Sequence, residues 1–244
     1  MNDQVLRFSG AEDLVDQAAA KLVARIAGYQ ADPERIVHLC LTGGRIAQRL
    51  YESFGGRIEG SGVDPGRLEL WWTDERFTAT DDPARHAGPA LALLAGRFAL
   101  DPARTHPMPA ADGVADADAA AATYAKELDD VTFDICLLSV GPEGHVAGIF
   151  PGHPSFDDTQ TQPVIGLTKS PKGKGDRISL TVTSLGRSRE VWFLLSGPDK
   201  ADVAPEAMAG SPEIPAGVVR GQDDTLWFLD REAAAELPWF HCDL

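Results

Sequence analysis

Short apolar runs alternate along this chain with segments of helical periodicity, and this alternation is the strongest constraint on its fold. Residues 36–41 form one such run, which ends in the glycine turn 42–44, and Ile46, Leu50 and Phe54 then recur at helical spacing. Further apolar runs lie at 68–72, 134–140, 178–182, 191–195 and 226–229, and helix-like segments lie at 9–28, 89–94 and 115–128. Strands that are apolar throughout are buried on both faces. The pattern therefore predicts an α/β protein with a mostly parallel sheet and helices on both faces.

The sequence shows neither an internal repeat nor a break in composition that would mark a linker. This predicts a single domain over residues 1–244. The Pro- and Gly-containing stretch 151–177 is the place where a small appended element would lie. At the other end of the chain, Ser9 and Glu12 have the spacing of a capping box, which predicts the start of the first helix.

The charge and cysteine content limit the partners and the location. The chain carries 37 acidic and 22 basic side chains, a formal charge of −15, which argues against nucleic acid and an anionic membrane as partners. Cys40, Cys136 and Cys242 form no Cys-x-x-Cys pair and predict buried thiols in a reducing compartment. Since the sequence shows no signal segment and no run of about 18 apolar residues, the expected location is the cytoplasm.

Three polar motifs directly follow apolar runs, where parallel strands bring their carboxyl ends to one edge of a sheet. The turn 42–44 precedes a helix and matches neither the dinucleotide nor the Walker pattern, so a phosphate loop and a plain tight turn both stay open. The triplet 74–76 is charged, and the turn 141–145 ends in a histidine that can move a proton near neutral pH. Arg177 and Lys200 flank later strands. Together these groups predict a site at the carboxyl edge.

Other kinds of active site lack their residues. The sequence has no His-Glu-x-x-His or Cys/His cluster, so no metal site is expected. It has no Gly-x-Ser-x-Gly elbow to present a serine nucleophile, and water is therefore the expected nucleophile. Four of the other five histidines are predicted to be structural or surface groups: His38, His106, His153 and His241.

Six ordered blocks, spread over nearly the full chain, resemble the 6-phosphogluconolactonase family. They are Leu41-Thr42-Gly43-Gly44, Trp72-Thr73-Asp74-Glu75-Arg76 with Asp81-Asp82-Pro83, Gly141-Pro142-Glu143-Gly144-His145 with Phe150-Pro151-Gly152, Arg177-Ile178-Ser179-Leu180-Thr181, Ser196-Gly197-Pro198-Asp199-Lys200-Ala201 and Trp227-Phe228-Leu229-Asp230. The resemblance implies a Rossmann-like fold shared with glucosamine-6-phosphate deaminases, and a reaction without metal or other cofactor. The implied substrate is a phosphorylated sugar lactone, 6-phospho-D-glucono-1,5-lactone of the oxidative pentose phosphate pathway, and a monomer is the simplest assembly.

The resemblance also implies roles for individual residues. His145 is the expected general base on the attacking water, a role that generally contributes about 10² to 10⁴ in rate. Asp74 is expected to orient His145 or a sugar hydroxyl. Phosphate and the developing oxyanion are expected to be bound by Thr42, Gly43, Gly44, Arg45, Arg76, Gly144, Arg177 and Lys200. Which of these takes the phosphate stays open.

Two positions depart from the pattern of the family. Arg45-Ile46-Ala47 stands where the family has Ser-Thr-Pro, which replaces hydroxyls with a guanidinium at the expected phosphate loop. Arg85-His86 stands where the family has Ser-Asn, and Asn2 is the only asparagine in the chain. His86 is therefore the candidate to replace the missing amide.

Two other functions remain as alternatives. A glucosamine-6-phosphate deaminase would share the fold, but deaminases have Asp-Glu-Tyr where this chain has 74–76, and a glutamate where Phe150 stands. Phenylalanine cannot transfer a proton, so the chain lacks a group that isomerisation needs. A non-catalytic sugar-phosphate sensor is the second alternative, favoured by the two departures and opposed by the presence of both His145 and Asp74.

Overall fold

A computed structural model describes residues 2–157, 159–173 and 175–238 of the chain. Strands and helices alternate through most of it. In chain order they are β1 (Asn2–Phe8), α1 (Ala11–Tyr29), β2 (Val37–Leu41), α2 (Arg45–Gly55), β3 (Leu68–Trp72), β4 (Asp74–Arg76), α3 (Ala87–Ala95), α4 (Ala117–Leu128), β5 (Ile135–Ser139), β6 (Val164–Leu167), β7 (Arg177–Leu180), α5 (Val182–Gly186), β8 (Glu190–Leu195), α6 (Val203–Met208), α7 (Pro215–Val218) and β9 (Asp224–Asp230).

The main sheet has six strands in the order β1-β9-β8-β5-β2-β3. Every neighbouring pair in it is parallel, which confirms the predicted sheet. From β2 the chain adds β3 on one side, and it then returns to add β5, β8 and β9 on the other side. The direction of strand addition therefore reverses between β2 and β5, the place where an open α/β sheet forms a crevice at its carboxyl edge.

Both faces of this sheet are covered. Tyr29 of α1 donates a hydrogen bond to the buried carboxylate of Glu190 on one face. Phe193 lies three residues further along the same strand and so points to the opposite face. There it stacks on Trp227, with ring centroids 4.0 Å apart, and the guanidinium of Arg220, which follows α7, lies 5.2 Å from the centre of the Trp227 ring. The predicted placement of helices on two faces is confirmed.

A second sheet of three antiparallel strands, in the order β4-β7-β6, was not predicted, and β6 lies within the stretch 151–177. Strand β4 covers the charged triplet 74–76, and it was missed because it is only three residues long and charged. The register pairs Asp74 with Ser179 and Arg76 with Arg177. Two motifs that are distant in sequence are thereby brought side by side.

The first helix begins differently from the prediction. Gly10 is its N-cap residue and supplies no side chain, so the capping box of Ser9 and Glu12 was wrong. Instead the backbone N–H and the hydroxyl of Ser9 both donate to Asp13, at 3.0 and 2.8 Å. The helix starts at Ala11, which places Asp13 rather than Glu12 within reach of Ser9.

Two of the cysteines are buried as predicted. Cys40 and Cys136 are free thiols that face each other across the β2–β5 pair, and burial raises the pKa of Cys40 well above its ordinary value. Cys242 and His241 lie outside the described residues. Among the helices of the described ranges, none has the length and apolar character needed to cross a membrane.

Removal of the Tyr51 hydroxyl should destabilise the strand end on which the glycine turn is built. This hydroxyl accepts from the N–H of Thr42 at 2.8 Å and donates to the C=O of Thr42 at 2.6 Å, and both residues are buried. Because Tyr51→Phe leaves buried backbone groups without this partner, we expect a loss of about 1–3 kcal/mol in the free energy of unfolding. Urea denaturation measures it.

Tyr29→Phe is the matched control. Tyr29 is only half-buried, and Glu190 keeps hydrogen bonds from Arg25 and the Trp192 indole when the Tyr29 hydroxyl is removed. The expected loss is therefore smaller than for Tyr51→Phe. Equal losses in the two variants would contradict the special position of Tyr51.

Candidate active site

A cavity of about 530 Å³ opens at the carboxyl edge of the main sheet, at the reversal between β2 and β5. The residues that follow these two strands form its floor, and β4 and the loop before β7 form a wall. It is lined by Thr42, Gly43, Gly44, Asp74, Arg76, His86, Ser139, Val140, Gly141, Pro142, His145, Ala147, Lys172, Gly173, Arg177, Asp199 and Lys200.

His145 is presented by a tight turn after β5. Gly144 N–H donates to the C=O of Gly141 at 2.9 Å, and Gly141 N–H donates to the C=O of His145 at 2.8 Å. Gly144 has a φ of +89°, and a Cβ there would lie 2.6 Å from Cβ of Ile214, so only glycine fits. Gly144 does not itself line the cavity, and its predicted contact with substrate stays a prediction. Gly144 packs against Ile214 and allows the sharp turn that carries His145.

The imidazole of His145 is enclosed on its Nδ1 side. Nδ1 is buried and lies 3.1 Å from Oε1 of Glu143, without hydrogen-bond alignment. The other Glu143 oxygen accepts from Nζ of Lys172 at 2.8 Å. The His145 ring stacks on Phe150 with centroids 4.8 Å apart. Because Nδ1 is buried, Nε2 is the nitrogen through which the ring can meet a ligand.

The surroundings keep His145 neutral. Burial lowers the pKa of His145, and although Glu143 acts in the opposite direction, the pKa stays below its ordinary value of 6.5. A neutral imidazole at pH 7 can accept a proton, which is what a general base requires.

The carboxylate of Asp74 contacts His86 and Arg177, and not His145, which it was predicted to orient. Its Oδ1 lies 3.5 Å from Nδ1 of His86, and its Oδ2 lies 3.6 Å from Nη1 of Arg177. The pairing of β4 with β7 brings Arg177 close to Asp74. The carboxylate beside His145 is instead that of Glu143. Asp74 still lines the cavity, so its contact with a sugar hydroxyl stays a prediction.

Asp74 is ionised although it is buried. Burial raises the pKa of its carboxyl, but His86, Arg177 and Arg76 together lower the pKa well below its usual range. A buried carboxylate that faces several cations is stabilised in its charged form. The wall of the cavity is therefore a network of fixed charges.

Glu75 fixes the position of His86 from behind this wall. Side chains alternate along a strand, so Glu75 points away from the side on which Asp74 lies. Its carboxylate is fully buried and accepts the backbone N–H groups of Arg76, His86 and Ala87 at 2.8, 2.6 and 2.8 Å. It thereby anchors the start of α3, and the backbone of His86 is held at the cavity.

A second cavity of about 440 Å³ adjoins the first and shares five lining residues with it: Gly44, Ser139, Val140, Asp199 and Lys200. Helix α2 begins at Arg45, after an N-cap glycine that has no side chain to occupy the first-turn N–H groups. Such N–H groups bind anions. Arg45 lines the second cavity and not the first, and Lys200, which is hydrogen-bonded to Asp199 at 2.8 Å, lines both. We call this boundary of Gly44, Arg45 and Lys200 the basic shelf.

One hydrogen-bond donor of the Arg76 side chain is unpaired within the described residues. Its Nη1 is buried and makes no hydrogen bond within the described residues. A buried donor without a partner costs about 1–3 kcal/mol, and more when charged. Since Arg76 lines the first cavity, an oxygen of a ligand is the natural partner for this nitrogen.

Most of the predicted site residues meet in one place. The first cavity is lined by Thr42, Gly43, Gly44, Asp74, Arg76, His145, Arg177 and Lys200, whereas Arg45 lies on the second. Glu143 and Lys172 were not assigned from the sequence. The sequence held a signal for each of them: Glu143 lies inside the histidine motif 141–145, and Lys172 lies in the segment 169–177, which is rich in basic residues. The described residues hold no group of three or more His, Cys, Asp or Glu side chains placed to bind a metal ion.

Comparisons with known proteins identify the relatives of this chain. The sequence model of the family described as "Glucosamine-6-phosphate isomerases/6-phosphogluconolactonase" matches residues 9–227. The chain is 42% identical over 241 residues to the 6-phosphogluconolactonase of Streptomyces coelicolor, covering 93% of this chain and 92% of that protein. It is 37% identical over 250 residues to the 6-phosphogluconolactonase of Mycobacterium leprae, covering 98% and 100%.

A solved structure shows the same fold. The 6-phosphogluconolactonase of Thermotoga maritima superposes with a TM-score of 0.81 at 24% identity, covering 94% of this chain and 100% of that one. The family match and the identities over nearly the whole length lead to one conclusion: the chain belongs to the glucosamine-6-phosphate isomerase/6-phosphogluconolactonase family.

Proposed function

We propose that this protein hydrolyses 6-phospho-D-glucono-1,5-lactone to 6-phospho-D-gluconate in the oxidative pentose phosphate pathway. The observation that carries the proposal is the environment of His145, a neutral imidazole with Nδ1 buried against Glu143 in a cavity lined by several cations. The identities of 42% and 37% to proteins named 6-phosphogluconolactonase support the same substrate.

The proposed reaction is an attack by water that His145 activates. Nε2 takes a proton from water as its oxygen bonds to the lactone carbonyl carbon, and an oxyanion forms. Collapse of this intermediate breaks the bond between the carbonyl carbon and the ring oxygen. Nε2 then returns its proton to the ring oxygen, which becomes the 5-hydroxyl, and the new carboxylic acid ionises in water. Glu143 stabilises the transient imidazolium, since its carboxylate lies 3.1 Å from Nδ1.

The phosphate of the substrate is assigned to the basic shelf of Gly44, Arg45 and Lys200. The open N–H groups at the start of α2, the guanidinium of Arg45 and the ammonium of Lys200 all carry positive charge there. Arg45 would replace the hydroxyl contacts expected of other family members. Arg76, with its unpartnered Nη1, is left for the oxyanion or a sugar oxygen on the other side of the cavity.

The deaminase alternative is disfavoured by the apolar side chain of Phe150 beside His145. Phe150 is buried and stacks on His145, and the guanidinium of Arg177 lies 5.7 Å from the centre of the Phe150 ring. An aromatic ring in this position neither accepts nor donates the proton that ring opening and isomerisation need. Release of ammonia from glucosamine 6-phosphate would favour the deaminase, and binding of sugar phosphates without either activity would favour a sensor.

We propose further that the chain acts as a single cytoplasmic domain and as a monomer. Two buried, unpaired thiols at Cys40 and Cys136 suit a reducing compartment. The formal charge of −15 disfavours nucleic acid as a partner.

The lactonase activity tests the proposal directly. We expect the purified protein to accelerate hydrolysis of freshly generated lactone in a pH-stat, and His145→Ala to lose about 10²- to 10⁴-fold in kcat because the general base is gone. His38→Gln is the matched control, since His38 lies on β2 near the amino edge of the sheet, and it should keep the wild-type rate. A wild-type rate equal to the spontaneous one would refute the lactonase function.

The pH dependence tests the environment of the base. His145 must be neutral to act, so kcat/KM should fall on the acid side as the pH drops through the lowered pKa of His145. Glu143 raises this pKa and Lys172 lowers it. Glu143→Gln should therefore move the acid limb of the profile to lower pH, and Lys172→Met should move it to higher pH. The substrate phosphate titrates identically in all three proteins, so shifts in the same direction would contradict the assignment.

A further inference from the structure

His86 is held in the cavity wall by contacts on one side of its ring. Its side chain is 13% exposed, and Nδ1 lies 3.1 Å from the backbone oxygen of Asp74 and 3.5 Å from Oδ1 of the same residue. Its backbone N–H is bound by Glu75 at 2.6 Å. These contacts come from strand β4 and fix both the backbone and the ring orientation.

The other side of the ring faces the glycine turn. A Cβ on Gly43 would lie 2.1 Å from Nε2 of His86, so the imidazole packs directly against the Gly43 backbone and fills the space of a side chain. Within the described ranges, no protein group is hydrogen-bonded to Nε2. Nε2 is also not fully buried, and His86 lines the first cavity. Nε2 is therefore open to a ligand in that cavity.

The charges around His86 favour its protonated form. Burial lowers the pKa of His86 and so does Arg76, but Asp74 and Glu75 raise it, and the pKa ends above its ordinary value of 6.5. Arg177 faces the same Asp74 carboxylate from β7. The cavity therefore combines a neutral histidine, His145, with a second one that tends to carry charge, and a pair of titratable groups with opposite shifts is typical of divided roles.

We propose that His86 is a substrate-binding residue, whose Nε2–H donates a hydrogen bond to an oxygen on the sugar portion of the bound lactone and product. The assignment rests on the proposed function and adds a residue to it. The sugar portion is specified because His86 lines the first cavity but not the second, which holds Arg45 and the start of α2. A phosphate on the shelf leaves the first cavity for the sugar.

This role has a consequence for the pH dependence of binding. A ligand that prefers the protonated imidazole must raise the pKa of that imidazole by the same free energy. Between pH 7 and 8.5 the substrate phosphate is already mostly doubly ionised, and its remaining ionisation would strengthen binding to a basic site rather than weaken it. The pKa of His145 lies below its ordinary value of 6.5, so its main titration falls below this window. Loss of affinity in this window therefore reports on His86.

The direct test is an NMR titration of the His86 ring in the wild-type protein, with the resonance assigned by its absence in His86→Asn. Saturating 6-phosphogluconate should raise the pKa of His86, and inorganic phosphate should raise it clearly less, because phosphate occupies the shelf alone. An unchanged pKa with 6-phosphogluconate would overturn the proposal. An equal rise with inorganic phosphate would overturn the placement at the sugar.

Binding of 6-phosphogluconate by two variants supplies a second measurement that needs no turnover. Wild type should lose about 3- to 10-fold in affinity from pH 7 to 8.5. His86→Asn keeps a donor without the charge and should bind with little change over this range, whereas His86→Leu should bind weakly throughout. The same pH dependence in wild type and His86→Asn would count against the proposal.

The outcomes separate this inference from the proposed function. If the protein hydrolyses the lactone but bound product leaves the pKa of His86 unchanged, the role of His86 alone is overturned. A protein whose His86 pKa rises with the product, but which does not accelerate hydrolysis, would overturn the lactonase function alone. A protein that neither accelerates hydrolysis nor binds the product would overturn both.

Discussion

The parallel pairing of β2 with β5 is the constraint on which the site depends. The chain adds strands outward from this pair in opposite directions, so the loops after β2 and β5 diverge and leave a crevice between them. One loop is the glycine turn that starts α2, and the other is the tight turn that carries His145. A helix N-terminus and a proton acceptor thus face one cavity because of strand order alone, before any side chain is chosen.

The electrostatics of the cavity run against those of the whole molecule. The chain carries a formal charge of −15, yet its cavity is lined by the basic side chains of Arg76, Lys172, Arg177 and Lys200. Buried carboxylates hold the basic groups of the wall in place, as Asp74 does between His86 and Arg177. Since an ion pair in a low-dielectric site acts strongly at short range, this local arrangement governs ligand binding more than the net charge does.

Much of this site could be predicted from the sequence, because strand ends and glycine turns leave local signals. The turn 42–44, the charged triplet after β3 and His145 all lie where the pattern of apolar runs placed them. The three-residue strand β4 left no such signal, and it decides which groups meet Asp74. That Glu143 rather than Asp74 lies beside His145 follows from the geometry of one turn and from Lys172 in a distant loop. Contacts of this kind depend on tertiary structure, which spacing in sequence does not encode.

The central claim is that the substrate lies across the reversal point, with its reacting carbon at His145 and its phosphate at the start of α2. A crystal structure with 6-phosphogluconate bound tests this most directly. The account predicts the product carboxylate within about 3.5 Å of Nε2 of His145 and the phosphate on Gly44, Arg45 and Lys200. A product bound in the opposite direction, with its phosphate at His145, would contradict it.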